Sequence, residues 1–244
     1  MGINDEIKNQ TKKLKDMTFK QKVSYIWEYY KFWILGGIAF IIFVVTLTGD
    51  IIDSKRPFFL NGMMINSNLA YDETVNISEM FANEMGVDLE EMQLFIDQDM
   101  KIPTDGSFDQ MTMAYQTKLV SGYAAGELDV VIGPVAAMAT SANVDAYGDL
   151  MQILPQSLID ELEDRGYEFY YFTPSEDDLE EDTIKEGEPY VGGVYLDNSR
   201  LLYDIGQYGA YDTPTKEEER VIFTIPVNAP RPENAVKFLE FLVK

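Results

Sequence analysis

The first strong hydrophobic signal along the chain is an uncharged run of eighteen residues, FWILGGIAFIIFVVTLTG at 32–49. A helix that crosses the hydrocarbon core of a bilayer needs about 17–25 such residues. A buried helix of a soluble domain is the alternative, but such a helix keeps some polar periodicity, and this run has none before Thr46. The pattern therefore predicts a transmembrane helix over 32–49 and a short linker over 50–57.

The segment immediately before this run is rich in aromatic residues and contains both tryptophans of the chain. Thr18 and Gln21 form a T-x-x-Q capping box, which predicts the start of a helix. Apolar side chains then recur along one stripe, so 18–31 is either a separate interfacial helix or a continuation of the transmembrane helix. Aromatic side chains favour the headgroup region of the bilayer. The residues predicted to lie at the cytoplasmic membrane interface are Trp27, Tyr29, Tyr30, Lys31 and Trp33.

Past Pro57 the hydrophobic pattern alternates between the period of strands and the period of helices. Strands that alternate with helices are typical of the α/β class. We predict one three-layer α/β domain over 58–244 with a largely parallel sheet. The predicted strands are 58–66, 91–98, 129–134, 151–154, 167–174, 190–197 and 220–228, and the predicted helices are 72–86, 107–125, 135–142, 155–166 and 231–244.

Charge differs sharply on the two sides of the predicted span. Residues 1–31 contain seven lysines against four acidic residues, a net charge of +3, whereas the remaining chain contains 12 basic and 38 acidic residues, a net charge of −26. Lysine excess beside a span marks its cytoplasmic side, so we predict a cytoplasmic basic tail over 1–31 and an extracellular domain after the span. The long charged region before the span, and the lack of an A-x-A-like site after it, favour an uncleaved signal-anchor over a cleaved signal peptide. The prediction is a single-pass protein of the cell membrane.

Composition excludes several classes of site. The 244 residues include no cysteine and no histidine, which rules out disulfides, thiolate nucleophiles, Ser-His-Asp triads and histidine-ligated zinc. Nucleic acid phosphates would repel so acidic an outer domain. The chain also lacks a glycine-rich phosphate loop and a G-x-S-x-G nucleophile motif. We therefore predict a protein that is not an enzyme, with no catalytic residues, no metal, no cofactor and no nucleic acid partner.

An acidic run over 175–189, SEDDLEEDTIKEGEP, interrupts the alternating pattern. It holds eight carboxylates against one lysine, which predicts a solvated loop. A calcium site is the alternative. The twelve-residue calcium loop has alternating ligands and a glycine at its sixth position, and that spacing is absent here.

Three stretches of the outer domain resemble segments of bacterial extracellular solute-binding proteins. They are AAGELDVVIGP (124–134), YVGGVYLDNSRLL (190–202) and IPVNAPRPENAVKFLEFL (225–242), in the order in which that family has them. The N-terminal layout, with K-x-K-x-x-Y-I-W-x-Y-Y-K (20–31) before a single span, is similar to that of a group of membrane-anchored proteins from anaerobic Gram-positive bacteria. The resemblance implies a periplasmic-binding-protein-like lobe. The residues from Pro57 onward suffice for one lobe, whereas complete solute-binding proteins have two.

Polar or small residues follow four of the predicted strands. In an open α/β sheet, ligands bind beyond the carboxyl ends of strands, where helix N-termini present free N–H groups. Turn formation or helix capping is the alternative role for each of these residues. The predicted ligand-binding residues are Asn66, Asn68, Gly133, Asn198, Ser199 and Asn228.

Three hypotheses follow for the outer domain. The first is a membrane-tethered solute-binding-like module for a small molecule such as a sugar or peptide, which requires a concave pocket at the strand carboxyl ends. The second is a protein-interaction or scaffold domain that has lost ligand binding, which predicts an exposed apolar patch instead. The third is a carboxylate-based hydrolase, which needs two facing acidic side chains. The predicted partners are the lipid bilayer, through 32–49, and either a small-molecule ligand or an envelope protein.

Overall fold

The structure is a computed structural model that describes residues 18–53, 55–67, 75–139, 146–174, 188–208 and 216–244. The chain divides into two units, Met1–Arg56 and Pro57–Lys244. The first unit contains a long apolar helix, and the second contains the α/β domain. Asn68 and almost all of the acidic run lie outside the described residues.

The described part of the first unit is dominated by one continuous helix, α1 (Phe19–Asp53), of 35 residues. The segment 18–31 is therefore a continuation of the apolar helix and not a separate interfacial helix. α1 also runs through the first residues of the predicted linker, because Pro57 is the first proline that could interrupt it. Its stretch Tyr30–Leu47, with a mean hydropathy of 2.0, is the one stretch among the described residues that is long and apolar enough to cross a membrane.

The aromatic side chains at the start of this apolar stretch are not buried by other residues of the chain. Trp33 keeps 81% of its surface exposed, and Trp27 and Tyr30 are about half exposed. The Lys31 ammonium lies 5.4 Å from the ring centroid of the next residue, within the range of a cation–π interaction. Tyr29 belongs to α1, and its side chain lies outside the described atoms. Amphipathic rings at the end of a strongly apolar stretch suit the interface between lipid and water.

The second unit alternates strands and helices, which confirms the predicted α/β class. A 3₁₀ turn at Glu217–Glu219 and a short helix at Arg200–Asp204 were not predicted from the pattern. The strands are β1 (Phe58–Met64), β2 (Gln93–Asp97), β3 (Val130–Pro134), β4 (Phe169–Phe172), β5 (Tyr190–Tyr195) and β6 (Val221–Thr224). The helices are α2 (Ile77–Met85), α3 (Gln110–Ala125), α4 (Val135–Ala139), α5 (Leu150–Ile153), α6 (Gln156–Asp164), α7 (Arg200–Asp204) and α8 (Pro232–Leu242).

One predicted strand, 151–154, is wrong, because most of this run belongs to the short helix α5. The side chain of Asp149 caps the helix by accepting a hydrogen bond from the N–H of Met151 at 3.1 Å. An apolar run of only four residues has no period of its own, so flanking residues decide between helix and strand.

The six strands form one sheet in the order β2-β1-β3-β6-β5-β4. β1 pairs in parallel with β2 and β3, but β6 is antiparallel to both β3 and β5, and β4 is antiparallel to β5. The sheet is mixed, and the prediction of a largely parallel sheet is wrong. β6 starts at the edge where β3 ends, and the N–H of Val135 there donates to the carbonyl of Arg220 at 2.9 Å. The carboxyl ends of β1, β2, β3 and β5 therefore share one edge, and β6 ends at the opposite edge.

Both faces of the sheet are covered, so the domain has three layers. Val130 and Ile132 of β3 face a core shared with α2, α6 and α8, whereas Val131 faces a core shared with α3 and α4. Phe81 of α2 and Phe238 of α8 are both fully buried, with ring centroids 4.8 Å apart. The two cores therefore lie on opposite faces of the sheet.

A buried ion pair closes the edge at which β1 and β3 begin. The fully buried carboxylate of Asp129 accepts hydrogen bonds from the N–H of Asn61 at 2.7 Å and from Nε of Arg231 at 2.8 Å. Burial raises the pKa of Asp129, while these hydrogen bonds and the guanidinium charge act in the opposite direction. Arg231 immediately precedes α8, so one carboxylate joins β1, β3 and the last helix.

Candidate functional site

The carboxyl ends of β1 and β3 border a cleft of about 340 Å³, which we call the carboxyl-edge cleft. The connections that leave these two strands run in opposite directions. The connection from β1 leads to β2 on one side, and the connection from β3 leads to the strands on the other side. Ligands of open α/β sheets bind at such a point, and the volume is within the range of small-molecule sites. The cleft is lined by Asn66, Thr104, Asp105, Pro134, Ala136, Lys216, Glu218 and Glu219.

Asn66 forms a rigid part of the cleft wall. Its φ of 58° is left-handed, a conformation that asparagine tolerates better than most residues. Its Nδ2 donates to the carbonyl of Ile102 at 2.8 Å, and its Oδ1 accepts from the N–H of Ile102 at 2.8 Å. Its own N–H donates to the carbonyl of Met100 at 2.8 Å. The Asn66 amide therefore holds the segment after β2 against the end of β1.

Gly133 lies one residue before the cleft wall, inside β3. A Cβ at this position would lie 2.9 Å from the Cβ of Ile65, so only glycine lets the ends of β1 and β3 approach this closely. The next residues, Pro134 and Ala136, form the wall itself. Gly133 thus shapes the cleft through the backbone and contributes no side chain to it.

The third wall is the turn that precedes β6, and Arg220 anchors it. The Arg220 Nε donates to Asp197 at 2.6 Å, and one terminal nitrogen donates to Glu168 at 2.9 Å. The guanidinium lies 3.6 Å from the ring centroid of Tyr195. Burial opposes the Arg220 charge, but the hydrogen bonds and charges of Asp197 and Glu168 outweigh that effect and raise the Arg220 pKa. The network fixes the turn to β5 and to the start of β4.

The charged side chains of this turn lie in two different places, some in the Arg220 network and the others at the cleft. Glu217 points to the network, where it accepts a hydrogen bond from the Tyr195 hydroxyl. Lys216, Glu218 and Glu219 line the cleft instead. Among the described residues these three groups have no ion pair or hydrogen bond through their side chains.

The wall formed by the segment after β2 carries a further carboxylate. Asp105 accepts a hydrogen bond from the N–H of Ser107 at 2.9 Å. Hydrogen bonds from the side chain and backbone of Ser107 lower the pKa of Asp105, so it is negative at neutral pH. Thr104 adds a hydroxyl to the same wall.

Asn198 and Ser199 lie beyond β5 and do not line the cleft. Asn198 donates from Nδ2 to the carbonyl of Gly166 at 2.7 Å, which ties β5 to the end of α6. The buried Ser199 hydroxyl donates to the carbonyl of Leu242 at 2.6 Å and accepts from the N–H of Leu202, so it caps α7. Both side chains satisfy backbone groups that would otherwise be unpaired.

Asn228 lies at the opposite edge of the sheet from the cleft. It follows the carboxyl end of β6, and β6 runs antiparallel to β3. Its Nδ2 donates to the carbonyl of Tyr123 at 3.1 Å, next to the left-handed Gly126 that ends α3. Of the six residues predicted to bind a ligand, Asn66 lines the cleft and Gly133 adjoins it. A ligand-binding role for any of the six stays a prediction.

The pattern did not point to Thr104, Asp105, Ala136, Lys216, Glu218 or Glu219 as cleft residues. The 216–220 run, KEEER, leads into the predicted strand 220–228, and residues before a strand lie at the carboxyl edge of the parallel strands only if that strand is antiparallel to them. The antiparallel direction of β6 is what brings this run to the cleft. A dense charge run directly before an apolar strand is the one sequence signal available for these residues.

A second surface feature lies on and beside α3, and we call it the α3 surface. It exposes Met113 and Val120, which lie on the same side of the helix, and also Phe108 and Met111 near the start of the helix, with Phe108 61% exposed. α3 contains no acidic residue, although the chain as a whole carries a charge of −23. Exposed apolar patches on soluble domains often mark interaction sites.

Comparisons with known proteins identify no relative. No protein-family model, no curated protein and no solved structure matches the chain. Within the described ranges, no three acidic side chains converge as the ligands of a metal ion would. The resemblance to solute-binding proteins therefore stays a prediction from the residues.

Proposed function

We propose that this protein is a membrane-tethered module that binds a small solute in the carboxyl-edge cleft. The observation that carries the proposal is the cleft itself, at the point where the connections of the sheet diverge. Its walls come from four separate parts of the chain, and hydrogen bonds or close packing hold them in place. A preformed concave site is what small-molecule recognition requires.

We further propose that α1 is an uncleaved anchor, with the tail in the cytoplasm and the α/β domain outside the cell. The length and apolar character of Tyr30–Leu47 support a membrane span. The lysine excess before the span supports the orientation. A tether of this kind keeps a binding domain at the cell surface, where it meets external solutes.

The proposal is tested with the full chain in lipid nanodiscs and a panel of sugars, amino acids, amines and short peptides. Binding is measured as a ligand-dependent rise in Tm, because a ligand that binds only the folded state stabilises it. Ala136→Trp places a large side chain in the cleft, and we expect it to abolish the rise in Tm. Ala139→Trp, at an exposed position of the same helix outside the cleft, is the matched control and should keep it.

Two results would contradict solute binding in the cleft. One is that no compound in the panel raises the Tm of the unmodified chain. The other is that Ala136→Trp and Ala139→Trp respond equally to a compound that does bind. The unliganded Tm of both variants shows whether each remains folded.

The α3 surface favours a second candidate, a protein-interaction module. It combines exposed apolar side chains with a helix that lacks acidic residues, in an otherwise acidic domain. Crosslinking of intact cells through a photoreactive amino acid at Met113 tests this candidate. A discrete crosslinked protein at Met113, absent when the probe is at Glu240 of α8, would support it.

A further inference from the structure

The carboxyl-edge cleft carries an excess of negative charge. Among its described lining residues, Asp105, Glu218 and Glu219 are acidic, and Lys216 is the single basic one. We infer that the cleft takes a small organic cation, a molecule that bears an ammonium or guanidinium group. The inference rests on the proposed function, because it names the class of solute that the same cleft binds.

The acidic side chains of the turn are available to a ligand. The nearby Arg220 guanidinium does not neutralise the Glu218 and Glu219 carboxylates, because it donates its hydrogen bonds to Asp197 and Glu168. Glu217 takes the remaining place beside Arg220 and bonds the Tyr195 hydroxyl. The two carboxylates that face the cleft therefore have no counter-charge from this network.

The backbone of the turn is held in place before any ligand arrives. The N–H of Val135 donates to the carbonyl of Arg220, which fixes the turn to the end of β3. The Arg220 guanidinium, stacked on Tyr195 and paired with Asp197, fixes it to β5. A ligand that binds to preorganised charges loses less free energy in ordering them.

These charges select for a cation for two reasons. Carboxylates that line one cleft repel each other, and a bound cation relieves that repulsion, whereas an anion adds to it. A concave site lined by one sign of charge also concentrates the field and raises the local concentration of the opposite ion. Lys216 provides one place for a carboxylate or hydroxyl group elsewhere on the same ligand, so the cleft suits a cation that also has a polar end.

The test compares L-arginine with L-citrulline, which has the same shape but a neutral ureido group in place of the guanidinium. Two further compounds complete the set. Putrescine is a cation that has no carboxylate, and L-glutamate is an anion. Binding to the full chain in nanodiscs is measured by isothermal titration calorimetry at low salt. We expect L-arginine or putrescine to bind at least about tenfold more tightly than L-citrulline, with no binding of L-glutamate.

The double variant Glu218→Gln/Glu219→Gln removes both charges of the turn and keeps the side-chain shape. We expect it to weaken cation binding about tenfold, since exposed ion pairs contribute modestly each. Glu90→Gln/Glu91→Gln is the matched control, because these residues are also adjacent, exposed glutamates and lie outside the cleft. It removes the same net charge and should leave the affinity unchanged.

The outcomes separate this inference from the proposed function. Equal binding of L-citrulline and L-arginine, lost on Ala136→Trp, would overturn the cation preference and leave the cleft as a solute site. Equal weakening by the two double variants would also overturn it, since net charge alone would then explain the effect. If neither cation binds while another compound of the wider panel binds in the cleft, the inference fails and the proposed function stands. If no compound binds, both fail.

Discussion

At the scale of single residues, polar side chains at the strand ends of this domain mostly serve the backbone. Asn66, Asn198, Ser199 and Asn228 each hydrogen-bond a main-chain group that the sheet or a helix leaves unpaired. Buried main-chain groups need such partners, and asparagine and serine supply them over short distances. An asparagine after a strand is therefore a poor indicator of a ligand site unless its amide is free.

Asp129 is the residue whose loss should destabilise the α/β domain most clearly. Asp129→Ala would leave the partly buried Arg231 guanidinium and the Asn61 N–H without their acceptor. Removing one partner of a buried ion pair costs about 3–5 kcal/mol, so we expect a loss of unfolding free energy in that range. Urea denaturation followed by near-UV circular dichroism measures it.

Glu127→Ala is the control for this experiment, since Glu127 is an exposed carboxylate two residues away. Its effect should stay within about 0.5 kcal/mol, as for most surface substitutions. A similar loss of unfolding free energy in both variants would show that the Asp129 ion pair does not stabilise the domain.

Asp109 should make stability depend on pH in the acid range. As the cap of α3, it accepts hydrogen bonds from the N–H of Thr112 at 2.7 Å and from its hydroxyl at 2.8 Å. Hydrogen bonds from the Thr112 backbone and side chain lower the pKa of Asp109 in the folded state. Its stabilising contribution is therefore present above the unfolded-state pKa of about 3.9 and is lost as the pH falls through the lower folded-state value.

Asp109→Asn isolates this contribution, because asparagine also caps helices but does not titrate. The urea midpoints of the two proteins are compared between pH 6 and pH 3, where all other acidic groups are common to both. We expect the midpoint of the unmodified chain to decrease relative to that of Asp109→Asn over this range. A constant difference would contradict the role of the Asp109 charge.

At the scale of elements, hydrophobic periodicity predicts where strands and helices occur but not the direction in which a strand runs. β6 is apolar on both faces, as a central strand of a parallel sheet would be, yet it lies antiparallel between β3 and β5. Its direction depends on where the preceding turn is anchored, and that anchor is a set of long-range contacts of Arg220. The position of the charged turn at the cleft follows from this single reversal.

The continuity of α1 is testable by a distance measurement. The chain has no cysteine, so spin labels can be placed at Lys20→Cys and Leu47→Cys without background. The two labelled positions are 27 residues apart, so one straight helix places them about 40 Å from each other, at about 1.5 Å per residue. We expect a single distance near that value by electron paramagnetic resonance in nanodiscs.

A bend between the amphipathic segment and the span would give a clearly shorter or a bimodal distance. The pair Leu35→Cys and Leu47→Cys lies wholly within the apolar stretch and serves as the control. Its separation of about 18 Å is the same whether or not α1 bends before the span.

At the scale of the whole molecule, charge is distributed very unevenly along the chain. The basic residues before the apolar stretch and the acidic domain after it have opposite net signs. Anionic lipid attracts the first and repels the second, which is the charge arrangement that the proposed orientation needs. The excess of acid also suits a cleft that attracts cations.

Cysteine labelling tests the proposed topology. Ser121→Cys lies at an exposed position of α3, and Lys20→Cys lies at the start of α1. A membrane-impermeant maleimide should label Ser121→Cys on intact cells, and Lys20→Cys only after permeabilisation. The reverse pattern would contradict the orientation, and release of labelled domain into the medium would indicate a cleaved signal peptide.

The sequence by itself determined the apolar stretch, the α/β class and the location of most strands and helices. These features depend on local patterns of hydrophobic residues, and a pattern within 5 to 20 residues is enough to specify them. It also placed a candidate site at the carboxyl ends of strands, and Asn66 does line a cleft there.

The structure shows that α1 is one helix, and only the tertiary contacts decided that the sheet is mixed and which charges meet at the cleft. The physical reason is that strand direction and side-chain engagement depend on contacts between distant parts of the chain. Glu217 and Glu218 are neighbours of the same type, yet one joins the Arg220 network and the other faces the cleft. No local pattern distinguishes them, because their difference is set by β5 and by the ends of β1 and β3.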